Sequence, residues 1–431
     1  MIVITIATAK NGEIMEELSG FYKLSVEERL TKIKRVANLT DDEAKLLANS
    51  GALDLQKADK IVENVIGAVH LPLGVGLNFV INGKPIIIPM AVEEPSVIAA
   101  ACKSAKLALP EGFKAEADES IMIGQIQLVG IKDLEIAEKA IEANRKKIMD
   151  TAHEFMKPHE RFGCGARGFE IKKYKTARGN MIILDFSIAV GDAQGANMVN
   201  TVLENVAPIA AGLTESKIRL RIISNLATKR KVRASAVWKK SVIGEEAIEG
   251  ILDGYEFAKV DPYRCSTHNK GIMNGASAVA VAMGNDWRSL EAGAHSYAAV
   301  GGYHPLTTYS KTPQGDLLGT IELPVAVATV GPAINSSPTA KVALKIIGTK
   351  TSRELGMAIA CVGLANNMAA LMALSTEGIQ KGHMKLHARN VALYAGATAE
   401  EVDKVAEILA NDKNFDSEHA KKVIEEIRSK K

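Results

Sequence analysis

Cysteine is scarce and scattered in this chain. Cys102, Cys164, Cys265 and Cys361 lie far apart, with no C-x-x-C pair. The spacing excludes a disulfide framework and reads as reduced thiols of a cytoplasmic protein. A secretory leader is not expected either. Met1-Ile2-Val3-Ile4-Thr5-Ile6-Ala7 is apolar, but it carries no basic n-region and runs into Lys10-Asn11-Gly12-Glu13. No uninterrupted apolar stretch reaches the ~18 residues of a membrane span. An excess of one charge is also missing. The 53 Lys and Arg against 50 Asp and Glu leave +3, and the basic runs Lys229-Arg230-Lys231 and Lys430-Lys431 are short. Such runs read as solvated faces rather than nucleic-acid sites. No repeat of fixed period occurs. These absences predict a soluble, intracellular protein with neither nucleic acid nor membrane as a partner.

What is present suits a large globular chain. A length of 431 residues is long for one hydrophobic core, and 47% hydrophobic with 24% charged residues supplies the material for two or three. Ser25 ahead of Glu27 and Glu28 starts a helical pattern over 25–50. Asn82-Gly83, between Leu77–Ile81 and Pro85–Met90, is the strongest hairpin signal. A helix over Val97–Leu109 follows, with Pro95 expected in its first turn.

From about 119 the texture changes. A strand is expected over Ile121–Ile131 and one long helix over Leu134–Glu154. Paired strands over Glu170–Tyr174 and Met181–Ala189, a helix over Asn197–Ala211 and a strand over Lys217–Ile223 complete the order. Strand–helix–strand–strand–helix–strand fits a small α+β domain inserted in a larger one, with breaks near 110 and 217. The rest reads as mostly helical (Ala247–Phe257, Ala278–Met283, Trp287–Val300, Lys341–Ile347, Ser352–Leu374), with a strand pair over Leu317–Val330. A terminal helical unit over 375–431 is broken at Gly396.

Four motifs carry possible chemistry. Gly163-Cys164-Gly165-Ala166-Arg167-Gly168 spells G-x-G-x-x-G, but a helix-like stretch precedes it and a strand-like stretch follows. That is the reverse of a dinucleotide-binding fingerprint, so a glycine turn is the better reading. His383 and His387 stand at i, i+4, as in a zinc pair, yet Met384 occupies the place where a metalloprotease needs Glu. Asp261 to Gly275 concentrates Arg264, His268, Lys270, Asn269 and Asn274 among small residues, and is either a polar loop or an active site. Gly191 to Thr201 is a Gly/Asp/Asn turn entering a helix. It offers free N–H groups to an anion, unless Asp192 or Asn197 merely caps the helix.

Taken in order, the motifs resemble one family, the soluble bacterial and archaeal (class II) 3-hydroxy-3-methylglutaryl-CoA (HMG-CoA) reductases. The matching strings are Glu63 to Gly67, Glu93-Glu94-Pro95-Ser96, Asp192 to Thr201, Asp261 to Gly275, Gly284-Asn285-Asp286-Trp287 and Thr376 to Met384. The resemblance runs from about residue 20 nearly to the C-terminus. Gln194 departs from the family's Met in its D-A-M-G element, and Pro332 stands in a loop that is often richer in glycine.

The resemblance implies an α+β fold. A large, mostly helical CoA- and substrate-binding domain (1–109 and 217–374) would carry an inserted ferredoxin-like nucleotide-binding domain (110–216) and a C-terminal helical flap (375–431). It implies four-electron reduction of HMG-CoA to mevalonate and CoA with two NAD(P)H through mevaldehyde, or the same chemistry run in the oxidative direction. Lys270 would stabilise the oxyanion and Glu94 would donate a proton, with Asp286 poising both. His383, on a flap hinged at Gly378 and Gly382, would protonate the CoA thiolate. Arg264 would bind the substrate carboxylate beside Asn274 and Ser96, and Lys23 the CoA phosphates.

Cofactor contacts would come from Asp192, Gln194, Gly195, Asn197, Asn225, Met156 and Lys157. Met156 stands where NADH-preferring relatives carry Asp. With Lys157, Arg161, Arg167, Lys172 and Lys173 near, the reading leans to NADPH or dual use over NADH. No metal is implied. A homodimer, or a multiple of dimers, with active sites at the subunit interface is implied. The rivals are another acyl-CoA oxidoreductase on the same scaffold, a CoA- or nucleotide-binding protein without activity, and a zinc hydrolase using His383 and His387.

Overall fold

The computed structural model describes residues 16–50, 53–376, 388–398 and 400–429. The described residues hold the strands β1 (Leu73–Ile81), β2 (Lys84–Ala91), β3 (Phe113–Ala117), β4 (Ile121–Val129), β5 (Gly165–Thr176), β6 (Gly179–Ala189), β7 (Lys217–Ile223), β8 (Lys231–Trp238), β9 (Thr307–Lys311) and β10 (Leu317–Pro324). They form two sheets, one of six strands in the order β2-β1-β3-β8-β10-β9 and one of four in the order β5-β6-β4-β7.

The six-stranded sheet starts from the predicted hairpin. Asn82 (φ 50°) and Gly83 (φ 76°) supply the two positive φ values of a tight turn whose twist matches the strands. Three helices, Val97–Leu107, Pro262–Ala282 and Ser352–Ser375, pack against this sheet and each other. Small residues let them approach closely. A Cβ on Gly275 would lie 2.2 Å from Asn366 Oδ1, and one on Gly363 would lie 3.0 Å from Ile272 Cγ2. Helix Ser352–Ser375 is long and apolar enough to cross a bilayer, yet 78% of its apolar window is buried inside the protein.

In the second sheet, β4 alternates half-buried and buried residues, the signature of a strand packed on one face. Helices Leu134–Ala143, Arg145–Met156 and Ala196–Thr214 pack with this sheet and each other. The order of elements and of strands is that of a ferredoxin-like α+β unit. A third cluster of buried side chains, including Val405, Leu409, Ala420 and Ile424, belongs to the C-terminal helices Val402–Asp412 and Ser417–Ser429.

Several expectations need correction. Breaks near 110 and 217 would put β3 in the inserted unit and β7 in the larger one. Pairing does the opposite, since β3 bonds β8 and β7 bonds β4. The long helix expected over 134–154 is interrupted at Asn144, which closes one helix and opens the next. The strand pair expected over 317–330 is instead β9 with β10. Pro95 lies before the helix it was expected to begin, whose N-cap is Ser96. Asp261 to Gly275 is not a loop. Asp261 accepts a hydrogen bond from Arg264 N at 2.7 Å and starts the 21-residue helix Pro262–Ala282. The glycine string reads as expected, because Gly163 (φ 75°) closes a 3-10 helix and β5 follows.

Candidate active site

The helix started by Asp261 places Lys270, Asn274 and Ser277 at i, i+4 and i+7, on one face. Glu94 meets that face from the segment between β2 and helix Val97–Leu107. Its Oε2 accepts from Lys270 Nζ at 2.9 Å and from Asn274 Nδ2 at 3.5 Å. Ser96 bends this segment at φ 76°, in the left-handed region. Such a conformation costs a non-glycine residue on the order of 1 kcal/mol and clusters at functional sites. The side chains of Lys270 and Glu94 are 60% and 41% exposed. A pair so open contributes at most about 1 kcal/mol to stability, so stability does not account for it.

Asp286 caps helix Trp287–Ala298. Its Oδ1 accepts from Arg288 N (3.1 Å), Ser289 N (3.3 Å) and Arg288 Nε (3.1 Å). The structure thus unites Glu94, Lys270 and Asn274 but turns the Asp286 carboxylate toward its own helix. Arg264, half-buried on the Lys270 helix, has no side-chain hydrogen bond or ion pair among the described residues. Burial lowers its pKa from the ordinary value. A shielded, unengaged guanidinium suits a small carboxylate. Lys23 is exposed in the 3-10 helix Phe21–Lys23, with Nζ 5.8 Å from the Tyr22 ring centroid. His383 and His387 lie outside the described residues.

The sequence reading passed over three side chains here. Glu291, one turn beyond Asp286, accepts from Ser277 Oγ at 2.5 Å and lies 3.3 Å from His295 Nε2. Burial acts to raise its pKa, but hydrogen bonds from His295 and Ser277, with the charge of Lys270, bring it below the usual carboxylate value. The signal available in the sequence was Ser277 at i+7 from Lys270 and an i, i+4 Glu–His pair. His268, by contrast, faces the core. It is 1% exposed, and its Nε2 is 2.6 Å from Thr307 Oγ1.

A second site lies in the four-stranded unit. Gly195 (φ 98°) opens helix Ala196–Thr214 without a side-chain cap. Neither Asp192 nor Asn197 caps it. Asp192 Oδ1 accepts from Ser352 N at 2.8 Å, and Gln194 Oε1 accepts from Ala196 N at 3.2 Å. Among the described residues nothing accepts from the Asn197 and Met198 amides. A Cβ on Gly195 would meet Val190 at 2.5 Å, and one on Gly191 would meet Phe162 O at 2.6 Å. Free first-turn amides and a glycine-only turn fit an anionic group such as a nucleotide phosphate.

Helix Lys157–Phe162 ends against this turn, with Lys157 exposed and the Arg161 guanidinium 4.6 Å from the Phe162 ring centroid. Three other basic residues are already engaged: Arg167 with Glu119, Lys172 with Asp185, and Lys173 with Glu135 and Glu138. Met156 is corrected. It is fully buried in the core of the unit, so its side chain is not offered to a cofactor. Asn225 is exposed beyond β7, and its carbonyl would be 2.7 Å from a Cβ at Gly293. No cluster of three or more His, Cys, Asp or Glu that could hold a metal occurs among the described residues.

Comparison with known proteins shows the family of the chain. Residues 25–388 match the family model for hydroxymethylglutaryl-coenzyme A reductase. The chain is 50% identical over 426 residues to a 3-hydroxy-3-methylglutaryl-coenzyme A reductase of Archaeoglobus fulgidus, covering 97% of this chain and 98% of the relative. A probable enzyme of that name from Borreliella burgdorferi is 32% identical, over 77% of each chain. Among solved structures, the reductase of Streptococcus pneumoniae superposes with a TM-score of 0.81 at 35% identity, over 95% of this chain and 99% of that one. The class II enzyme of that organism bound to NADPH in open conformations superposes at 0.79 and 35% identity, over 94% and 100%.

Proposed function

Because the chain belongs to the hydroxymethylglutaryl-coenzyme A reductase family, NAD(P)H-dependent oxidoreductases, we propose that it reduces HMG-CoA to mevalonate and free CoA. The Lys270–Glu94 contact at 2.9 Å carries this reading. Two reduced nicotinamides, bound in turn, would supply the two hydrides, and the Gly191–Asn197 turn with the amides of Asn197 and Met198 would hold their phosphates. Lys270 Nζ stabilises negative charge on the carbonyl oxygen as the thioester is reduced. A fixed cation at such an oxygen contributes several kcal/mol in a water-excluded site. Glu94, bonded to that ammonium, is placed to give the product oxygen its proton. Arg264 holds the distal carboxylate of the substrate. The thioester passes through mevaldehyde, and His383 protonates the departing CoA thiolate. Lys23 would meet the CoA phosphates.

In this reading the larger domain binds CoA and substrate, the four-stranded unit binds the cofactor, and the C-terminal unit is the flap. The openness of the Lys270–Glu94 pair requires a cover, which a flap and a second subunit would supply. A homodimer is supported by Phe257, Val260 and Tyr263, which stay 55%, 79% and 86% exposed where helix Glu245–Val260 gives way to the Lys270 helix. NADPH is favoured over NADH by Lys157 and Arg161, basic residues beside the turn without carboxylate partners among the described residues. The synthetic direction, in the reduced cytoplasm, completes the reading.

The test follows absorbance of reduced cofactor with HMG-CoA or acetyl-CoA, using NADPH and NADH in parallel. Turnover with HMG-CoA alone, faster with NADPH, is expected. Equal turnover with acetyl-CoA would point to the broader acyl-CoA oxidoreductase.

A further inference from the structure

Between Leu355 and Met372, helix Ser352–Ser375 is apolar except for two adjacent side chains, Asn366 and Asn367. They are 5% and 1% exposed. A buried amide needs partners to offset its desolvation. These two find them on the segments that carry the Lys270–Glu94 pair. Asn366 Nδ2 donates to the carbonyl of Val97, three residues after Glu94, at 3.0 Å. Asn367 Nδ2 donates to the carbonyl of His268, two residues before Lys270, at 3.4 Å. Its Oδ1 accepts from Thr307 Oγ1 (3.0 Å) and the Tyr309 hydroxyl (2.8 Å). With its proton given to Asn367, Thr307 accepts from His268 Nε2 at 2.6 Å. The Lys270 helix is thus held at both the backbone and the ring of His268.

Asn367 uses both ends of its amide, Asn366 only one. The Asn366 Oδ1 is buried without a hydrogen-bond partner among the described residues, and a Cβ on Gly275 would lie 2.2 Å from it. Gly275 follows Asn274, whose amide donates to Glu94 at 3.5 Å. Asn366 therefore stands between the first turn of helix Val97–Leu107 and the Lys270 helix. An apolar side chain of the same size would fill this place without leaving a buried oxygen unpaired, so stability does not account for the amide. Nor can the pair set its own geometry. With Lys270 and Glu94 60% and 41% exposed, their attraction holds them weakly.

We propose that Asn366 and Asn367 are positioning residues: adjacent on one buried helix, they hold the Glu94 segment and the Lys270 helix at the separation that the Lys270–Glu94 contact requires. Asn366 is the member whose amide serves the site rather than the fold. The proposal deepens the reductase reading and rests on it. Proton donation and charge stabilisation are sensitive to placement, and an error of about 1 Å can cost on the order of 10²-fold in rate. Without the bond at Val97 the Glu94 segment drifts from Lys270, while Arg264 and the glycine turn keep their places.

The experiment measures kcat, the KM for HMG-CoA and for NADPH, and Tm on the full chain as wild type, Asn366→Leu, Asn366→Ala, Lys270→Met and the double variant Asn366→Leu with Lys270→Met. Asn366→Leu should keep or raise Tm, lower kcat at least tenfold and change each KM less than threefold. Asn366→Ala should lose kcat to the same degree, with a lower Tm from the space it leaves. In the Lys270→Met background Asn366→Leu should cost less than a further twofold, because the separation it disturbs no longer matters there. Unchanged kcat in both Asn366 variants would overturn the proposal, and so would an equal loss with Lys270 present or absent. A fall in Tm for Asn366→Leu as large as for Asn366→Ala would make the amide structural and overturn it too. A wild type that turns over no HMG-CoA would overturn the reductase reading and the proposal with it.

Discussion

Replacing His268 by Gln should remove a specific pH dependence of stability. The imidazole is 1% exposed, and its Nδ1 has no hydrogen-bond partner. Burial, and then the charge of Arg264, hold its pKa at about 3 against an ordinary 6.5. A depressed histidine pKa means that the unfolded chain binds a proton the folded chain refuses. The contribution is therefore fully present above the unfolded value and is lost as pH falls towards the folded one. The slope is about 1.4 kcal/mol per pH unit once the unfolded side chain is charged. Between pH 7.5 and pH 5 that amounts to about 2 kcal/mol. The assay is urea unfolding followed by the fluorescence of buried Trp238, at pH 7.5, 6 and 5. His268→Gln loses the Thr307 contact and should be the less stable protein at pH 7.5. The gap should narrow by about 2 kcal/mol at pH 5. Parallel curves would refute the reasoning and mean that the folded protein protonates His268 or opens around it.

Three further outcomes follow from the same geometry. Lys270→Met should lower kcat by about 10²–10³-fold and shift stability by less than about 1 kcal/mol, because the pair is exposed; loss of fold in step with activity would make the pair structural. Gly275→Val should destabilise by about 1–3 kcal/mol in a thermal melt, since its Cβ would lie 2.2 Å from Asn366 Oδ1 and the helices must part; an unchanged Tm would refute the close crossing. A strong chelator should leave activity intact; loss of activity with release of stoichiometric zinc would favour a metal at His383 and His387.

Local signals in the sequence translated directly into structure. Asn82-Gly83 made its hairpin, Ser25 formed a capping box with Glu28, and Gly163 closed a helix as its position between helix and strand implied. Glu94, Lys270 and Asn274 were legible because the ordered motifs point to them, and the structure brings the three together. What stayed hidden depends on partners far away in the chain. β3 and β8 are short, and which sheet they join is decided by pairing across more than a hundred residues. The polar composition of 261–275 disguised a helix, because only one of its faces meets the site while His268 bonds Thr307 and Asn269 bonds His304 and Leu306 in the core. Met156 was placed beside the cofactor by ungapped counting from Gly163. The 3-10 turn between them rotates that side chain into the core instead. Arg230, in a run read as a solvated face, is 3% exposed and donates to the carbonyls of Ala193, Gln194 and Val327.

The central claim is a two-step reduction of a CoA thioester at Lys270 and Glu94. Its most direct measurement mixes the native protein with limiting HMG-CoA and excess NADPH, and quantifies cofactor oxidised, CoA thiol released and mevalonate formed at completion. Two NADPH oxidised per CoA released and per mevalonate formed are expected. One NADPH per CoA, or thiol release without cofactor oxidation, would contradict it.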